Sequence, residues 1–292
     1  MRRYAYKKID AFTSGASLGN PAACIFLNER QVLTDEEMLL IAQQHKGFVS
    51  EMVYCKQTPG KIHLTYYSSE CEVDFCGHGT IACMYSLIKQ SAALMAQPEI
   101  EIVTRRKGVL TVTNRIGKED AVYISAPQAQ HLGTSLTRAE IADQLGLAAA
   151  KISTDLPLDC INAGLATLIV PIEALEDEIS VYPDQEAVKG FCEQHDIDIV
   201  LIFCMQVQDK THFAHTRVFA ARFGYLEDPA TGSGNSAFGN YLLKNKLWNG
   251  KQISVEQGSE DMVFNTVRLA AENGKVLFGG SATERIIGEY LL

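Results

Sequence analysis

Apolar residues occur along the chain in short runs separated by turn residues, a pattern typical of β-strands. The predicted strands lie at 22–27, 52–55, 62–67, 100–103, 121–124, 161–170, 200–203 and 263–269. Helix starts are predicted at Thr34 and Thr137, because each is followed three residues later by a glutamate that completes a capping box. Strands outnumber helices and many are joined by short turns. The pattern therefore favours an α+β fold with largely antiparallel sheets over a doubly wound parallel fold.

Four short segments of the first half of the chain recur, in the same order, in the second half. The aligned pairs are DEE 35–37 with DQE 184–186, VYC 53–55 with IFC 202–204, GHGTIA 77–82 with GSGNSA 232–237, and LIK 87–89 with LLK 242–244. Because both the segments and their order repeat, the sequence predicts two copies of one α+β unit. Each copy has a helix, a strand and, further on, a glycine-rich turn that opens another helix.

One position breaks the repeat in a way that points to chemistry. When Cys55 is aligned with Cys204, Glu51 aligns with Val200, so the strand predicted at 49–54 carries a carboxylate where its counterpart is apolar throughout. Burying a carboxylate is costly unless it is paired or protonated. Burial also raises the pKa of a carboxyl group toward the range useful for proton transfer near neutral pH. Glu51 is therefore a candidate general acid/base; the alternative is a glutamate at a strand end that faces water.

The two glycine-rich turns, 74–80 and 227–235, each lead from a predicted strand into a helix. Glycine lets the backbone approach a ligand closely, and the free N–H groups at a helix start attract an anion. His78 and Ser233 occupy equivalent places and add hydrogen-bond donors. We expect the two helix starts to face each other across a cleft and to hold a small carboxylate. Neither turn has a P-loop or dinucleotide-binding pattern, so phosphate and dinucleotide sites are disfavoured.

Composition narrows the classes of partner. The 292 residues are 47% hydrophobic and 21% charged, which argues against disorder. The formal net charge of −9 makes nonspecific nucleic-acid binding a poor hypothesis. No apolar run approaches the ~18 residues that a membrane span needs. Residues 1–8 are basic but lead directly into Ile9 and Asp10 without the apolar stretch of a signal peptide, so we expect a cytoplasmic protein.

Cysteines and histidines are the candidate metal ligands. The eight cysteines form no C-x-x-C pattern, and free thiols are expected in a chain of this size without an export signal. His212 and His215 form an H-x-x-H in a stretch, 211–219, that is predicted to be a strand. Residues three apart on a strand point to opposite faces, so no metal site is predicted.

Four motifs carry a family resemblance, in the expected order along the chain. They are GNPAA at 19–23, SE at 50–51, CGHGT at 76–80 and DPATGSGN at 228–235. Together they resemble the PhzF-like family of phenazine biosynthesis-type isomerases, and the resemblance covers the whole chain. It implies a fold similar to that of diaminopimelate epimerase, in which two pseudo-repeated halves each wrap a β-barrel-like sheet around a central helix, with the active site in the cleft between them. The implied central helices are about 79–94 and 234–246, and the implied halves are 1–128, completed by 281–292, and 129–280.

The resemblance also implies an activity. It indicates a cofactor-independent isomerase that moves a proton between carbons of a small carboxylate substrate, with neither a metal nor an organic cofactor. By motif match, Glu51 takes the general acid/base position. The positions around the substrate fall to Gly77, His78, Asp228, Gly232 and Ser233. The family further implies a homodimer.

Two alternatives stay open. The wider superfamily includes epimerases and racemases that use two thiols on opposite faces of a carbon. Cys76 stands at the first thiol position, but the repeat places Thr231 at the second, and a threonine hydroxyl has no thiolate-like basicity. Cys76 is therefore expected to be a packed thiol rather than a catalyst. An epimerase or racemase of a small amino or hydroxy acid, with Asp228 as second base, is one alternative; a catalytically inactive carboxylate-binding protein is the other.

Overall fold

The structure, a computed structural model, describes residues 1–260 and 263–292, and its chain contacts separate two units. Unit 1 comprises Met1–Ile124 and Gly279–Leu292, and unit 2 comprises Ser125–Phe278. The C-terminal segment therefore belongs to unit 1. The boundaries proposed from the sequence lie a few residues later in the chain at both places.

Unit 1 is built mainly from strands. Its strands are β1 (Arg3–Ala11), β2 (Asn20–Leu27), β3 (Glu51–Thr58), β4 (Lys61–Ser68), β5 (Glu72–Val73), β6 (Glu99–Thr104), β7 (Gly108–Asn114) and β8 (Val122–Ser125). Its helices are α1 (Asp35–Gln44), α2 (Gly77–Gln90), α3 (Ala92–Met95) and α4 (Ile116–Glu119).

Unit 2 has the same mixture of elements. Its strands are β9 (Gln130–His131), β10 (Asp159–Asn162), β11 (Ala166–Pro171), β12 (Ile199–Cys204), β13 (Ala214–Phe219), β14 (Glu227–Asp228), β15 (Ile253–Gln257), β16 (Asn265–Glu272) and β17 (Lys275–Gly280). Its helices are α5 (Arg138–Leu145), α6 (Leu175–Ile179), α7 (Gln185–Gln194) and α8 (Gly232–Lys244), with 3₁₀ turns at Ala149–Lys151 and Ala221–Phe223. The last strand, β18 (Ala282–Leu291), returns to unit 1 and pairs antiparallel with β1.

The strand pairings repeat from one unit to the other. In unit 1, β2 pairs parallel with β3, β3 antiparallel with β4, and β4 parallel with β6. In unit 2, β11 pairs parallel with β12, β12 antiparallel with β13, and β13 parallel with β15. Antiparallel pairs such as β1–β2, β6–β7, β10–β11 and β15–β16 make up most of the rest. The predicted α+β fold of two pseudo-repeated halves is confirmed.

Helices α2 and α8 hold the same place in their units. Helix α2 packs against β1, β2 and β3, and α8 packs against β10, β11 and β12. Residues 79–88 of α2 are all buried, which is typical of a helix enclosed by its own domain. Both helices start two residues before the predicted positions, and α2 ends at Gln90 rather than continuing to 94.

Both predicted capping boxes are confirmed. The Thr34 hydroxyl accepts the N–H of Glu37, and the Glu37 carboxylate accepts the N–H of Thr34. Thr137 and Glu140 make the same reciprocal bonds at the start of α5. These local signals were sufficient because each bond joins residues three apart in the chain.

Several predicted strands are wrong in their limits; the one predicted at 263–269 is observed as β16, Asn265–Glu272. The run 161–170 is two antiparallel strands, β10 and β11, because the chain turns at Gly164, whose φ of +122° favours glycine. The strand predicted at 49–54 begins only at Glu51. The strand predicted at 211–219 begins at Ala214, because the Asp209 carboxylate accepts the N–H of Thr211 and forms a turn. His212 therefore lies outside the strand, and the opposite-face argument does not apply to it.

None of the helices in residues 1–260 and 263–292 has the length and apolar character needed to cross a membrane.

Candidate active site

Glu51 lies where β3 begins, between two neighbouring strands. Its backbone pairs with Ala22 of β2 and Ser68 of β4. Its side chain is 21% exposed, and within the described residues its buried Oε2 atom has no hydrogen-bond partner. Val200, its partner in the sequence repeat, is fully buried in β12. Glu51 thus combines the two sequence interpretations: it is at a strand end, yet one of its oxygens is withdrawn from water.

His78 brings a second titratable side chain against Glu51. It is the second residue of α2, and its side chain is 13% exposed. Its Nε2 atom lies 3.3 Å from Glu51 Oε2 and 3.3 Å from the hydroxyl oxygen of Ser50. The approach to Glu51 has the distance of an ion pair without the direction of a hydrogen bond. A carboxylate beside an imidazole is an arrangement suited to proton transfer.

Cys76 is the N-cap of α2. Its Sγ atom accepts the N–H of Gly79 at 3.3 Å and lies 3.6 Å from Nδ1 of His78, and the residue is buried. The thiol therefore satisfies the third N–H group of the helix. The N–H groups of Gly77 and His78 remain at the helix start without an intrahelical acceptor, where the helix dipole favours an anion.

The close approach of α2 to β3 depends on Gly79. A Cβ atom at this position would lie 2.7 Å from Cγ2 of Val53 and 2.9 Å from Sγ of Cys76. Contacts this short do not occur between real side chains, so any larger residue would separate the helix from the strand. Glycine here lets the helix carrying His78 lie against the strand carrying Glu51.

The same side chains include a possible set of metal donors. Glu51, Cys76 and His78 each offer one ligand atom, all within 4.8 Å of one another, the one such group found in residues 1–260 and 263–292. Thiolate, imidazole and carboxylate are ligands that zinc accepts. The Sγ atom is, however, already the acceptor for a helix N–H group. The absence of a resident metal stays a prediction of the sequence, to be checked by metal analysis of the purified protein.

In unit 2, Asp228 and Thr231 form the corresponding helix start. Asp228 ends β14, and Thr231 is the N-cap of α8. The Thr231 hydroxyl makes no bond to the N–H groups of its helix and instead donates to Oδ2 of Asp228. A hydrogen bond therefore joins two residues of the 228–235 motif for which the sequence predicted separate roles.

Three fully buried amide side chains for which the sequence predicted no role hold this turn: Asn235, Gln257 and Asn265. Gln257 Oε1 accepts the N–H of Thr231 at 3.0 Å and Nδ2–H of Asn235 at 2.8 Å. Gln257 Nε2 donates to the Asp228 carbonyl at 2.8 Å and to the Thr231 hydroxyl oxygen at 3.2 Å. Asn265 donates to a backbone carbonyl of the same turn. Gln257 ends β15, a strand that the sequence patterns did not predict, so no signal in the sequence pointed to it.

Gly232 and Ser233 open α8. A Cβ atom at Gly232 would clash with the ring of Phe278, so only glycine fits there. Ser233 is half-buried and is the second residue of α8, the position that His78 holds in α2. Gly77 is the corresponding first residue of α2. Substrate contact by Gly77, Gly232 and Ser233 stays a prediction.

A cluster of buried charges in unit 2 was not predicted. Arg217 on β13 donates to both carboxylate oxygens of Glu227, at 2.9 and 2.8 Å, and to backbone carbonyls at the end of α6. His215 Nδ1 lies 3.1 Å from Oε2 of Glu178, and both side chains are fully buried. Burial raises the pKa of Glu178. No pattern in the sequence pairs Glu178 with a histidine 37 positions away.

Comparisons with known proteins address the family directly. The model of the PhzC-PhzF family, described as phenazine biosynthesis-like protein, matches residues 9–286. An uncharacterized isomerase of Bacillus subtilis, YfhB, is 26% identical over 264 residues, which is 89% of this chain and 88% of the relative. The trans-2,3-dihydro-3-hydroxyanthranilate isomerase of Pseudomonas aeruginosa is 25% identical over 258 residues, covering 88% and 86% of the two chains.

Solved structures that are similar to this chain include members of the same family. The crystal structure of a phenazine biosynthesis protein of the PhzF family from Bacillus anthracis matches all of both chains with a TM-score of 0.86 and 25% identity. A probable proline racemase from Agrobacterium radiobacter has a similar fold, with a TM-score of 0.64 at 10% identity over 99% and 93% of the two chains.

The pairing of strands, the two glycine-rich helix starts and the family match over residues 9–286 lead to one assignment. The enzyme class predicted from the sequence, an isomerase, is confirmed by the relatives. The chain belongs to the PhzC-PhzF family of phenazine biosynthesis-like proteins.

Proposed function

We propose that this protein is a cofactor-independent isomerase that moves a proton between two carbons of a small carboxylate, with Glu51 as the general acid/base. The observation that carries the proposal is the group at the start of α2. There a mostly buried carboxylate, with one oxygen lacking a hydrogen-bond partner within the described residues, lies 3.3 Å from an imidazole. The activity for which the Pseudomonas relative is named, isomerisation of a dihydro-hydroxyanthranilate, supports this class of substrate.

The proposed reaction is a proton shift in which every atom is retained. Glu51 accepts the proton of an acidic C–H bond, and the electron pair of that bond becomes part of the conjugated system of the substrate. The protonated Glu51 then returns the same proton to the other end of that system, so no oxidant or reductant is needed. The N–H groups at the start of α2 and the side chain of His78 stabilise the negative charge that develops.

Asp228, Gly232 and Ser233 are proposed as contacts to the polar groups of the substrate. The supporting observation is their place in the repeat: the first two residues of α8 correspond to Gly77 and His78, which open α2 beside Glu51. Asp228 is joined to the N-cap of α8 by a hydrogen bond. Substitution of each should weaken binding more than it slows proton transfer.

Glu51→Gln tests the central role. Glutamine keeps the size and hydrogen-bonding capacity of the side chain but does not accept a proton from carbon. We expect turnover to fall by at least about 10²–10⁴-fold, the usual contribution of a positioned general base. Folding and ligand binding should change little. The first test substrate is trans-2,3-dihydro-3-hydroxyanthranilate, followed by small carboxylates that raise the melting temperature in a thermal-shift screen.

Glu72→Gln is the matched control. Glu72 is another largely buried carboxylate of unit 1, but it forms an ion pair with Arg106 at 2.9 Å rather than facing an imidazole. It should retain turnover. A Glu51→Gln protein that keeps near-full activity, or that melts far below the parent protein, would remove Glu51 from the mechanism.

An epimerase is the second candidate, because the thiol of Cys76 lies 3.6 Å from Nδ1 of His78, within reach of a base that could activate it. Reaction in D₂O separates the two activities. An isomerase moves a double bond, whereas an epimerase inverts a stereocentre and incorporates solvent deuterium there. Binding of carboxylates without either change would favour the inactive binding protein.

We further propose that the protein is a cytoplasmic homodimer. The dimer is implied by the family resemblance that the four sequence motifs carry. Light scattering at micromolar concentration should give a mass near twice the 32.1 kDa of one chain. A mass near that of one chain would count against the dimer.

A further inference from the structure

We propose that Gln257 is a positioning residue of the proposed substrate site: its buried side-chain amide fixes the 228–231 turn in the geometry that binds substrate. This inference rests on the proposed function, which assigns Asp228 to the substrate. The side-chain hydrogen bonds of Gln257 go to Asp228, Thr231 and Asn235. Its effect is therefore expected on binding rather than on proton transfer.

Gln257 uses its whole hydrogen-bonding capacity on this turn. Its Oε1 atom accepts the N–H of Thr231 at 3.0 Å and Nδ2–H of Asn235 at 2.8 Å. Its Nε2 atom donates to the Asp228 carbonyl at 2.8 Å and to the Thr231 hydroxyl oxygen at 3.2 Å. Gln257 is fully buried, so these bonds form away from water, where an unmade one is costly.

The bonds of Gln257 determine the direction of the Thr231 hydroxyl. Because the hydroxyl oxygen accepts a hydrogen bond from Gln257, its own proton is directed to Oδ2 of Asp228. The Asp228 carboxylate is thus held by a chain of bonds that begins at Gln257, the last residue of β15. Without the amide, the Thr231 hydroxyl could rotate away from Asp228, and the carboxylate would lose one of the bonds that orient it.

Asn235 extends the same network into the helix. Its Nδ2 group donates to the Thr231 carbonyl at 2.9 Å and to Gln257, and the side chain is fully buried. Its Oδ1 atom has no hydrogen-bond partner within the described residues. A buried polar network that leaves an acceptor unsatisfied is retained at a cost, which is typical of a functional site rather than of a packed core.

The test compares Gln257→Met with Glu256→Gln. Methionine keeps the length of the side chain and removes all four hydrogen bonds. Glu256 is the neighbouring buried residue on β15, but its carboxylate accepts the N–H groups of Gln208 and Asp209, away from the turn. The control therefore perturbs the same strand without touching Asp228 or Thr231.

Two measurements are made on the parent protein and on each variant. Hydrogen exchange of the Thr231 amide reports the bond to Gln257 and does not depend on activity. The dissociation constant of 2-amino-3-hydroxybenzoate, the aromatic analogue of the dihydro-hydroxyanthranilate, reports the site. In Gln257→Met, the Thr231 amide should exchange at least about tenfold faster than in the parent. The variant should also bind the analogue at least about tenfold more weakly. Its kcat should fall much less than its kcat/KM does. Glu256→Gln should leave both measurements near those of the parent.

The outcomes separate the two proposals. Unchanged Thr231 protection, or unchanged affinity with only a lowered melting temperature, overturns the positioning role, since a purely structural residue would affect melting alone. If the parent protein does not bind the analogue, the proposed substrate class fails, and Thr231 exchange then decides whether the turn is held by Gln257. If Gln257→Met does not fold, Gln257→Glu replaces it. That variant keeps the acceptor for Thr231 and loses the donor to Asp228, so it should retain protection and lose affinity; retention of both overturns the proposal.

Discussion

The starts of α2 and α8 occupy the same place in the repeat but are stabilised by different means. In α2 the N-cap Cys76 accepts the N–H of Gly79, so the helix is capped by its own flanking residue. In α8 the N-cap Thr231 makes no such bond; its hydroxyl donates to Asp228, and its N–H group donates to Gln257. One helix start is thus capped by its own flanking residue, beside the Glu51 and His78 side chains that we propose for proton transfer. The other is held from a distant strand and fixes a carboxylate.

The strands that pack against the two helices also differ, because one aligned position is apolar in unit 1 and polar in unit 2. In unit 1, Cys55 pairs with Leu64 across β3 and β4; in unit 2, the aligned Cys204 pairs with His215 across β12 and β13. The unit 1 position is apolar, and a hydrogen bond with the Cys83 thiol together with burial raises the pKa of Cys55 well above its usual value. The unit 2 position carries a histidine against a buried glutamate. Duplication kept the backbone pairings, while the polar side chains diverged.

The largest expected effect on stability comes from adding one methyl group at Gly79, and the same change at Gly234 is the comparison. A Cβ atom at Gly79 would lie 2.7 Å from Val53, whereas the equivalent Gly234 would place it 3.3 Å from the side chains of Ile199 and Val218. Gly79→Ala should therefore lose about 1–3 kcal/mol of unfolding free energy, as overpacked cores do, and should displace His78 from Glu51 and reduce turnover.

Gly234→Ala is the matched control for that substitution. Its nearest contacts, at 3.3 Å, require only a small shift of the neighbouring side chains, and alanine is the better helix former, so its stability should stay within about 1 kcal/mol of the parent. Urea unfolding of both variants measures the difference. Equal losses in the two would show that the helix starts are packed alike and would contradict the comparison.

The buried charges of unit 2 predict a pH dependence that unit 1 lacks at the aligned position. Burial raises the folded-state pKa of Glu178 above its usual value of 4.5, and His215, Arg217 and Glu227 are the charged groups around it. The protonated form is therefore favoured in the folded protein. Protonated Glu178 contributes its full stabilisation at pH values below its pKa in the unfolded chain. This stabilisation is lost as the pH rises through its pKa in the folded protein, and the free energy of unfolding then falls by up to about 1.4 kcal/mol per pH unit.

Glu178→Gln imitates the protonated carboxyl and should remove that slope. The stability difference between the variant and the parent should grow as pH rises above 4.5, measured by urea unfolding at several pH values. A difference that does not change with pH would mean that Glu178 is ionised in both states and is simply paired with His215.

Sequence patterns predicted the parts of the site that depend on neighbouring residues. The capping boxes, the glycine-rich helix starts and the order of elements in the repeat all rest on spacings of a few residues, which local propensity determines. The bonds of Gln257 to Asp228 and Thr231 span 29 and 26 positions. They exist because β15 pairs with β13, a register that hydrophobic patterning does not specify. The run at 161–170 was missed as a hairpin for a similar reason, since one glycine interrupts an otherwise apolar stretch.

The smallest expected effect concerns the cap of α2 itself. Cys76→Ala removes the acceptor for the Gly79 N–H group, and loss of an N-cap side chain typically costs about 1 kcal/mol. Turnover should stay within a few-fold of the parent, because Thr231 supplies no second thiol for a two-base reaction. Cys76→Ser separates the two roles of the sulfur, since a serine hydroxyl is a good N-cap but not a thiolate. It should recover most of the lost stability, measured by urea unfolding, and keep the activity of the alanine variant. If both variants lose activity as fully as Glu51→Gln while remaining folded, the thiol takes part in the reaction, and α2 would then carry chemistry in its cap as well as in His78.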